Sequence, residues 1–448
     1  MSSSPWISRF GRDPSDGEIV HAVRVQPEPI AGLNELSVER AARHLQAHLT
    51  GVFFPTAQIV SHLRMLRDTA LAYADLAFPS TGKFLESLYT GGAPSGAKQK
   101  PICVTGLGGV GKSELLAALA KILPGTDSVE IPGEGIFPLT SLWRFVVEAR
   151  VGRPGVLTQL LDEPGKVSSI ECKLAAFSRA EAFRTGVCLM TADEFQFMTF
   201  SEGANIRAAQ ALLQMSHVGP PLAYCANFSL IRSLMKRPQH EQQRLLANHI
   251  VVVPDAADSS DWVKYLKALL CAAPGTFLLD VCVNGRDIHR YTAGIKRLVV
   301  ELLALAYRHA RAEGRPIASM SDVRKAYADA RYAGNRDDVE ELARIKLNPL
   351  NHGSKRGDLI CPFPEPALPS NVVVLDPGVQ ARQREIGDAL LLAAATPKEV
   401  EAHQQVADHA DVVPLKKSAV RPMPRRARTV QDLMAGENAF KQGLEKRP

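Results

Sequence analysis

Gly106-Leu-Gly-Gly-Val-Gly-Lys-Ser113 is the stretch that decides the fold. It fits the phosphate-binding pattern G-x-x-x-x-G-K-[ST] at every position. Pro101-Ile-Cys-Val-Thr105 before it is a short apolar, β-branched run suited to a buried parallel strand. Glu114-Leu-Leu-Ala-Ala-Leu-Ala-Lys-Ile-Leu123 after it is a strong helix former. Strand, glycine loop and helix together make an anion cradle. The glycines let the backbone curl so that its N–H groups face inward, and the helix N-terminus adds partial positive charge. The whole loop, Gly106, Leu107, Gly108, Gly109, Val110, Gly111, Lys112, Ser113 and the adjoining Glu114, is the expected nucleotide site. In it Lys112 reaches the β- and γ-phosphates of ATP, and the Ser113 hydroxyl ligates Mg²⁺. A glycine turn that merely joins a strand to a helix gives no reason for the Lys-Ser pair.

Outward from this loop, the chain is too long for one ordinary core. At 448 residues it predicts two or three folded units. With 46% hydrophobic and 22% charged residues it has the make-up of a soluble globular protein. A net charge of +6 is compatible with a nucleic-acid partner, and equally with an ordinary enzyme. Seven scattered cysteines without a C-x-x-C pair argue against a disulfide framework or a zinc site and predict a reducing, cytoplasmic setting. The first residues lack the basic and apolar regions of a secretory signal, and no uncharged apolar run approaches a membrane span, so no membrane association is expected.

Four segments are expected. Residues 1–98 form an N-terminal extension, its first thirty or so residues extended, with helices over Val38–Leu49 and Thr56–Ala77. Residues 99–255 alternate strand-like and helix-like runs, the strands being Ile102–Thr105, Ser128–Ile131, Val187–Thr191, Leu222–Ala226 and Ile250–Val253. That alternation predicts an α/β core with a parallel sheet covered by helices on both faces. Residues 256–345 read as a small all-helical lid, with helices opening at Ser260, over Ala293–Glu313 and over Ser321–Arg331. Residues 346–448 are proline-rich and basic over Lys416–Arg428, so they are expected to be a largely disordered tail with one helix near Val379–Ala395.

Further residues carry chemistry. Val187-Cys-Leu-Met-Thr-Ala-Asp193-Glu194 is an apolar strand ending in two acids, the Walker B arrangement. Asp193 would hold the Mg²⁺ shell and Glu194 would polarise the attacking water. Asn227 ends the next apolar strand, where it could orient that water or feel the γ-phosphate; an Asn there also simply forms turns. Arg237 and Arg244 lie in a basic stretch just before the last core strand, and Lys296 and Arg297 open the long helix of the third segment. For these four a solvated helix face is the plain alternative.

Taken in order, these residues resemble the AAA+ ATPases, and more narrowly the TnsC/TniB transposition regulators. The narrower likeness rests on Asp193-Glu-Phe-Gln196, on Ala226-Asn-Phe-Ser-Leu with the following Lys-Arg-Pro-Gln and Gln-Arg-Leu-Leu-Ala-Asn, and on Thr292-Ala-Gly-Ile-Lys-Arg-Leu-Val-Val-Glu-Leu. It covers residues 99–345; the loop itself is generic and also resembles STAND ATPases. The resemblance implies a sensor 1 role for Asn227, an arginine finger at Arg244 or, second, Arg237, and a sensor 2 role for Arg297 with Lys296 as the fallback. It further implies ATP hydrolysis, a homo-oligomeric ring or filament on duplex DNA with backbone contacts, and transposase and target-selector partners. A STAND-type signalling ATPase, or another DNA-remodelling or clamp-loading ATPase, is the alternative; no repeat array supports the former. The basic tail, Lys416 to Arg428, is either a partner- or DNA-touching arm or a solubilising one.

Overall fold

The computed structural model describes residues 4–90, 100–146, 171–193, 204–347 and 356–363. Met1–Pro369 form one compact unit.

Strand β1 (Ile102–Gly106) is buried along its whole length. It pairs in parallel with β6 (Leu222–Ala226) on one side and β7 (Asn248–Val252) on the other. Beyond β6 come β5 (Leu189–Asp193) and β4 (Leu142–Val146), giving a five-stranded sheet in the order β4-β5-β6-β1-β7. Alternate residues face opposite cores. Ile102, Val104, Ala223, Cys225, Ile250 and Val252 join one buried cluster, while Cys103, Met190, Ala192, Leu222 and Tyr224 join the other. Burial on both faces is why these strands are apolar runs rather than alternating ones.

Two helices cover the first face: α6 (Lys112–Ile122), which leaves the glycine loop, and α4 (Ala57–Ala77) from the N-terminal part of the chain. On the second face lie α8 (Ala204–Ser216), α9 (Phe228–Leu234) and α10 (Gln239–Leu245). Helix α7 (Glu171–Arg184) precedes β5.

One expected core strand is placed elsewhere. Residues Asp127–Ile131 form β2, which pairs antiparallel with β3 (Gly135–Leu139) in a separate hairpin. The hairpin turns at Gly133, whose φ of 82° suits glycine. Alternating polar residues leave β2 mostly exposed, which a strand covered on both faces cannot be. The sheet's edge is taken instead by β4, Leu142-Trp-Arg-Phe-Val146, whose central arginine hides the apolar pattern.

The first thirty residues are expected extended, but two short helices interrupt them, while residues 24–30 are non-helical, with Val25 bridged to Phe53. Helix α1 (Pro5–Ser8) buries Trp6 between Phe78 and Phe84, at ring separations of 5.5 and 4.4 Å. Helix α2 (Asp16–Val23) starts with a reciprocal Ser15–Glu18 capping box. Helix α3 (Val38–Thr50) matches its expected span, and α4 is capped by Thr56. Helix α5 (Thr81–Thr90) follows, burying Phe84.

After β7 come α11 (Ser260–Ala272), α12 (Val281–Thr292), α13 (Lys296–Ala312), α14 (Met320–Ala328) and α15 (Ala333–Leu347). Two-residue strands β8 (Phe277–Leu278) and β9 (Ala318–Ser319) pair between them. The long helix begins at Lys296 rather than Ala293, because Ala293 and Gly294 take left-handed φ values of 51° and 74°. Helix α3 packs along α13, and Arg311 donates to the carbonyls of Leu33, Asn34 and Leu36. The N-terminal helices thus bridge the sheet and the lid. Further on, Phe363 stacks on His249 at 3.9 Å, and Arg232 of α9 donates to the Gly357 and Ile360 carbonyls. The expected helix at 379–395 and the basic run at 416–428 lie outside the described residues. Among the described residues no helix is long and apolar enough to cross a membrane.

Candidate nucleotide site

The glycine loop joins β1 to α6 as expected, and its conformation explains its glycines. Gly106 has a φ of 155°, and a Cβ there would lie 2.4 Å from the Val252 carbonyl oxygen of β7. Gly109, at 81°, would drive a Cβ to 2.7 Å from the Cβ of Arg297. Gly111, at 106°, starts α6. No L-side chain tolerates the first two positions. Lys112 Nζ donates to the carbonyls of Gly106 and Leu107 at 3.0 and 2.8 Å, so its ammonium lies over the loop. Leu107 and Val110 are buried and anchor the loop; Gly108 lies beside the Arg297 guanidinium, with Nη2 3.6 Å from where a Cβ would be. Ser113 and Glu114 are exposed in the first turn of α6, where a carboxylate suits the helix dipole.

Asp193 is the last residue of β5, one step beyond the Ala192–Tyr224 pair and so level with Cys225 of β6. The buried Cys225 thiol locates the group electrostatically. Burial raises its pKa most, the Asp193 charge raises it further, and the Lys112 ammonium pulls it down. Asp193 and Lys112 thus both act on one buried thiol. Glu194 and Gln196 lie outside the described residues.

Asn227 follows β6 directly, one step past the pairing of Ala226 with Thr105 of β1. Its Oδ1 accepts the Leu230 N–H at 2.9 Å, so it caps α9. The side chain is thus a cap, and the residue stands at the carboxyl edge of the sheet, level with Gly106 of β1.

The two finger candidates separate. Arg237 is held by Glu241 through two hydrogen bonds of 2.8 and 3.1 Å. Arg244, near the end of α10 and just before edge strand β7, is exposed and makes no ion pair or hydrogen bond among the described residues. The two lid candidates separate as well. The Arg297 backbone N–H donates to the Gly109 carbonyl at 3.2 Å, and its side chain lies against Gly108 and Gly109. Lys296 turns into the protein instead, 3.8 Å from Asp255.

The donor set fits a polyphosphate carrying a divalent cation. Loop N–H groups, Lys112 and Arg297 supply positive charge, while the Ser113 hydroxyl and Asp193 supply hard oxygens. Among the described residues no group of three or more His, Cys, Asp or Glu could hold a metal by itself, so Mg²⁺ here would be shared with phosphate oxygens.

Asp255, Tyr265 and His289, which contact the first turn of α13 or the turn before it, carried no motif in the sequence. Their only trace was Gly294, whose left-handed turn brings Asp255 and His289 together.

The P-loop follows β1, an inner strand of the β4-β5-β6-β1-β7 sheet, with an acidic residue at the end of a strand two places away and a helical lid touching the loop, which makes an α/β P-loop core with a helical lid. No protein-family model and no curated protein matches the chain. Similar solved structures include the Orc2 protein of Aeropyrum pernix in ADPNP–ADP complexes, at 17% identity and a TM-score of 0.36 over 59% of this chain and 68% of that one. Another is the Orc1 protein of Aeropyrum pernix in complex with DNA, at 17% identity and 0.37 over 77% and 87%. A third is the RuvB Holliday junction branch migration motor of Thermotoga maritima, at 12% and 0.31 over 63% and 76%.

Proposed function

We propose that this chain is a Mg²⁺-dependent ATPase of the AAA+ class that assembles on duplex DNA and regulates transposition, linking target selection to a transposase in the cytoplasm. The observation that carries the ATPase reading is the contact of Arg297 with the glycine loop, because it sets a cation from the lid beside the loop whose backbone would cradle phosphates. Lys112 and Arg297 hold the terminal phosphates. Ser113 and Asp193 hold the cation, Glu194 takes the proton of the attacking water and Asn227 orients it. Bound Mg²⁺ supplies charge neutralisation at the phosphates. Arg244 serves the site of a neighbouring subunit, since it is exposed near the end of α10 and makes no ion pair or hydrogen bond among the described residues. Residues 1–98 and the basic tail are the surfaces proposed for partners.

The DNA and transposition part rests on the sequence phrases around Asn227 and Gly294 and on the net charge of +6. A ring or filament would multiply weak backbone contacts, so a modest charge per subunit suffices. Anisotropy of labelled duplexes of unrelated sequence tests it. Binding that requires ATP, ignores sequence and weakens steeply with salt is expected. A chain that ignores DNA with and without ATP removes the transposition reading and favours a signalling ATPase.

A further inference from the structure

The chain leaves the sheet at the end of β7 and meets the glycine loop again at Ile295 and Arg297. Asp255 stands at the junction between these points. Its carbonyl oxygen is bonded to His289 Nε2 of α12 at 2.8 Å. Gly294 lies so close that a Cβ there would come within 2.7 Å of that same oxygen. The Asp255 carboxylate is 11% exposed and faces Lys296 Nζ, itself on an 18% exposed side chain, at 3.8 Å. Lys296 Nζ also lies 5.4 Å from the centre of the Tyr265 ring, and Tyr265 Oη donates to the Lys296 carbonyl at 3.3 Å. Burial raises the pKa of Asp255 and lowers that of Lys296, so each charge is costly there without the other.

Lys296 is the residue before Arg297. The Arg297 backbone N–H is bonded to Gly109, and its Cβ leaves no room for a Cβ on that glycine. The first turn of α13 thus carries the Arg297 backbone on Gly109 and its guanidinium beside the loop, where Nε also lies 3.7 Å from Glu301.

We propose that Asp255, paired with Lys296 against Tyr265, is a positioning residue for the ATP reaction: the buried pair latches the first turn of α13 to the core and so sets Arg297 on the glycine loop. The proposal rests on the ATPase reading above. A pair that only glues lid to core would stabilise the fold and leave the arginine's contribution to turnover untouched.

The test uses the full chain with Asp255→Asn and Lys296→Met, each of which strands one buried charge. Each single variant is expected to lower kcat at least about tenfold, as small misplacements of a positioned group do. The double variant Asp255→Asn/Lys296→Met, with neither charge left, is expected to recover to within about threefold of wild type. In an Arg297→Ala background, Asp255→Asn is expected to cost less than about twofold, because the group it positions is gone. Hydrogen exchange of the Arg297 amide, read without nucleotide, is expected to quicken at least about tenfold in Asp255→Asn. Wild-type turnover in both single variants, or an equal cost of Asp255→Asn with and without Arg297, overturns the proposal. A wild-type chain that hydrolyses no ATP overturns the ATPase reading; the exchange measurement then decides the latch, and an unchanged Arg297 amide overturns it.

Discussion

Lys112 donates to two carbonyls of its own loop, and both bonds are local, reaching five and six residues back along the chain. Lys112→Ala is therefore expected to keep the fold and to lose ATP affinity by about 100-fold or more, read by calorimetry. Its subunits can still present Arg244. Mixing them with Arg244→Ala subunits is expected to restore part of the turnover that each lacks alone, since a finger acting in trans makes a composite site. Co-assembly without recovery would remove the trans role from Arg244. Asn227 allows its two duties to be split. Asn227→Asp retains an oxygen for the Leu230 N–H and loses the amide, so turnover is expected to fall at least about tenfold with little change in thermal midpoint. Asn227→Ala is expected to lose turnover and about 1 kcal/mol of stability together. Equal turnover in Asn227→Asp and wild type would leave Asn227 as a cap only.

At the scale of elements, α14 shows how a single acid can hold a helix in place. Asp322 is fully buried, accepts the Ser319 N–H at 2.8 Å and is held by Arg315. The Arg315 hydrogen bond holds its carboxyl well below the usual carboxylate range, with the Ser319 bonds adding to the effect against burial. A folded pKa below the unfolded value gives stability that is fully present above the unfolded range, about 4, and is lost as pH falls toward the folded value. Lid stability is thus expected to drop below about pH 5, and Asp322→Asn to flatten that drop at a cost of about 2 kcal/mol near neutrality. A wild-type pH profile that Asp322→Asn leaves unchanged would contradict this.

The same scale shows what the sequence made legible. Strand β6 and helix α4 were readable almost to the residue, because one is an unbroken apolar run and the other keeps helical spacing under a threonine cap. Strand β4 was hidden by Arg144, which an edge strand tolerates and a central one does not. The Ser15–Glu18 box was readable in principle as Ser-x-x-Glu, but proline and glycine around it suggested an extended chain. In the site, the loop motif and Asp193 follow fixed local patterns. The Asp255–Lys296 pair does not, since its partners meet only through the path of the lid.

Among the described residues, the sheet and the lid meet at one glycine loop, and the N-terminal helices pack on both. Helix α4 covers the sheet, α3 braces α13, and α13 carries Arg297 to Gly109. The account stands or falls on whether that loop turns over ATP. The most direct measurement is steady-state phosphate release by the purified chain with MgATP, with and without duplex DNA. Wild type is expected to release phosphate, Lys112→Ala to do so not at all for want of binding, and Glu194→Gln to bind ATP yet release phosphate far more slowly. A wild-type chain without turnover in either condition, or one whose turnover survives Lys112→Ala, would contradict the account.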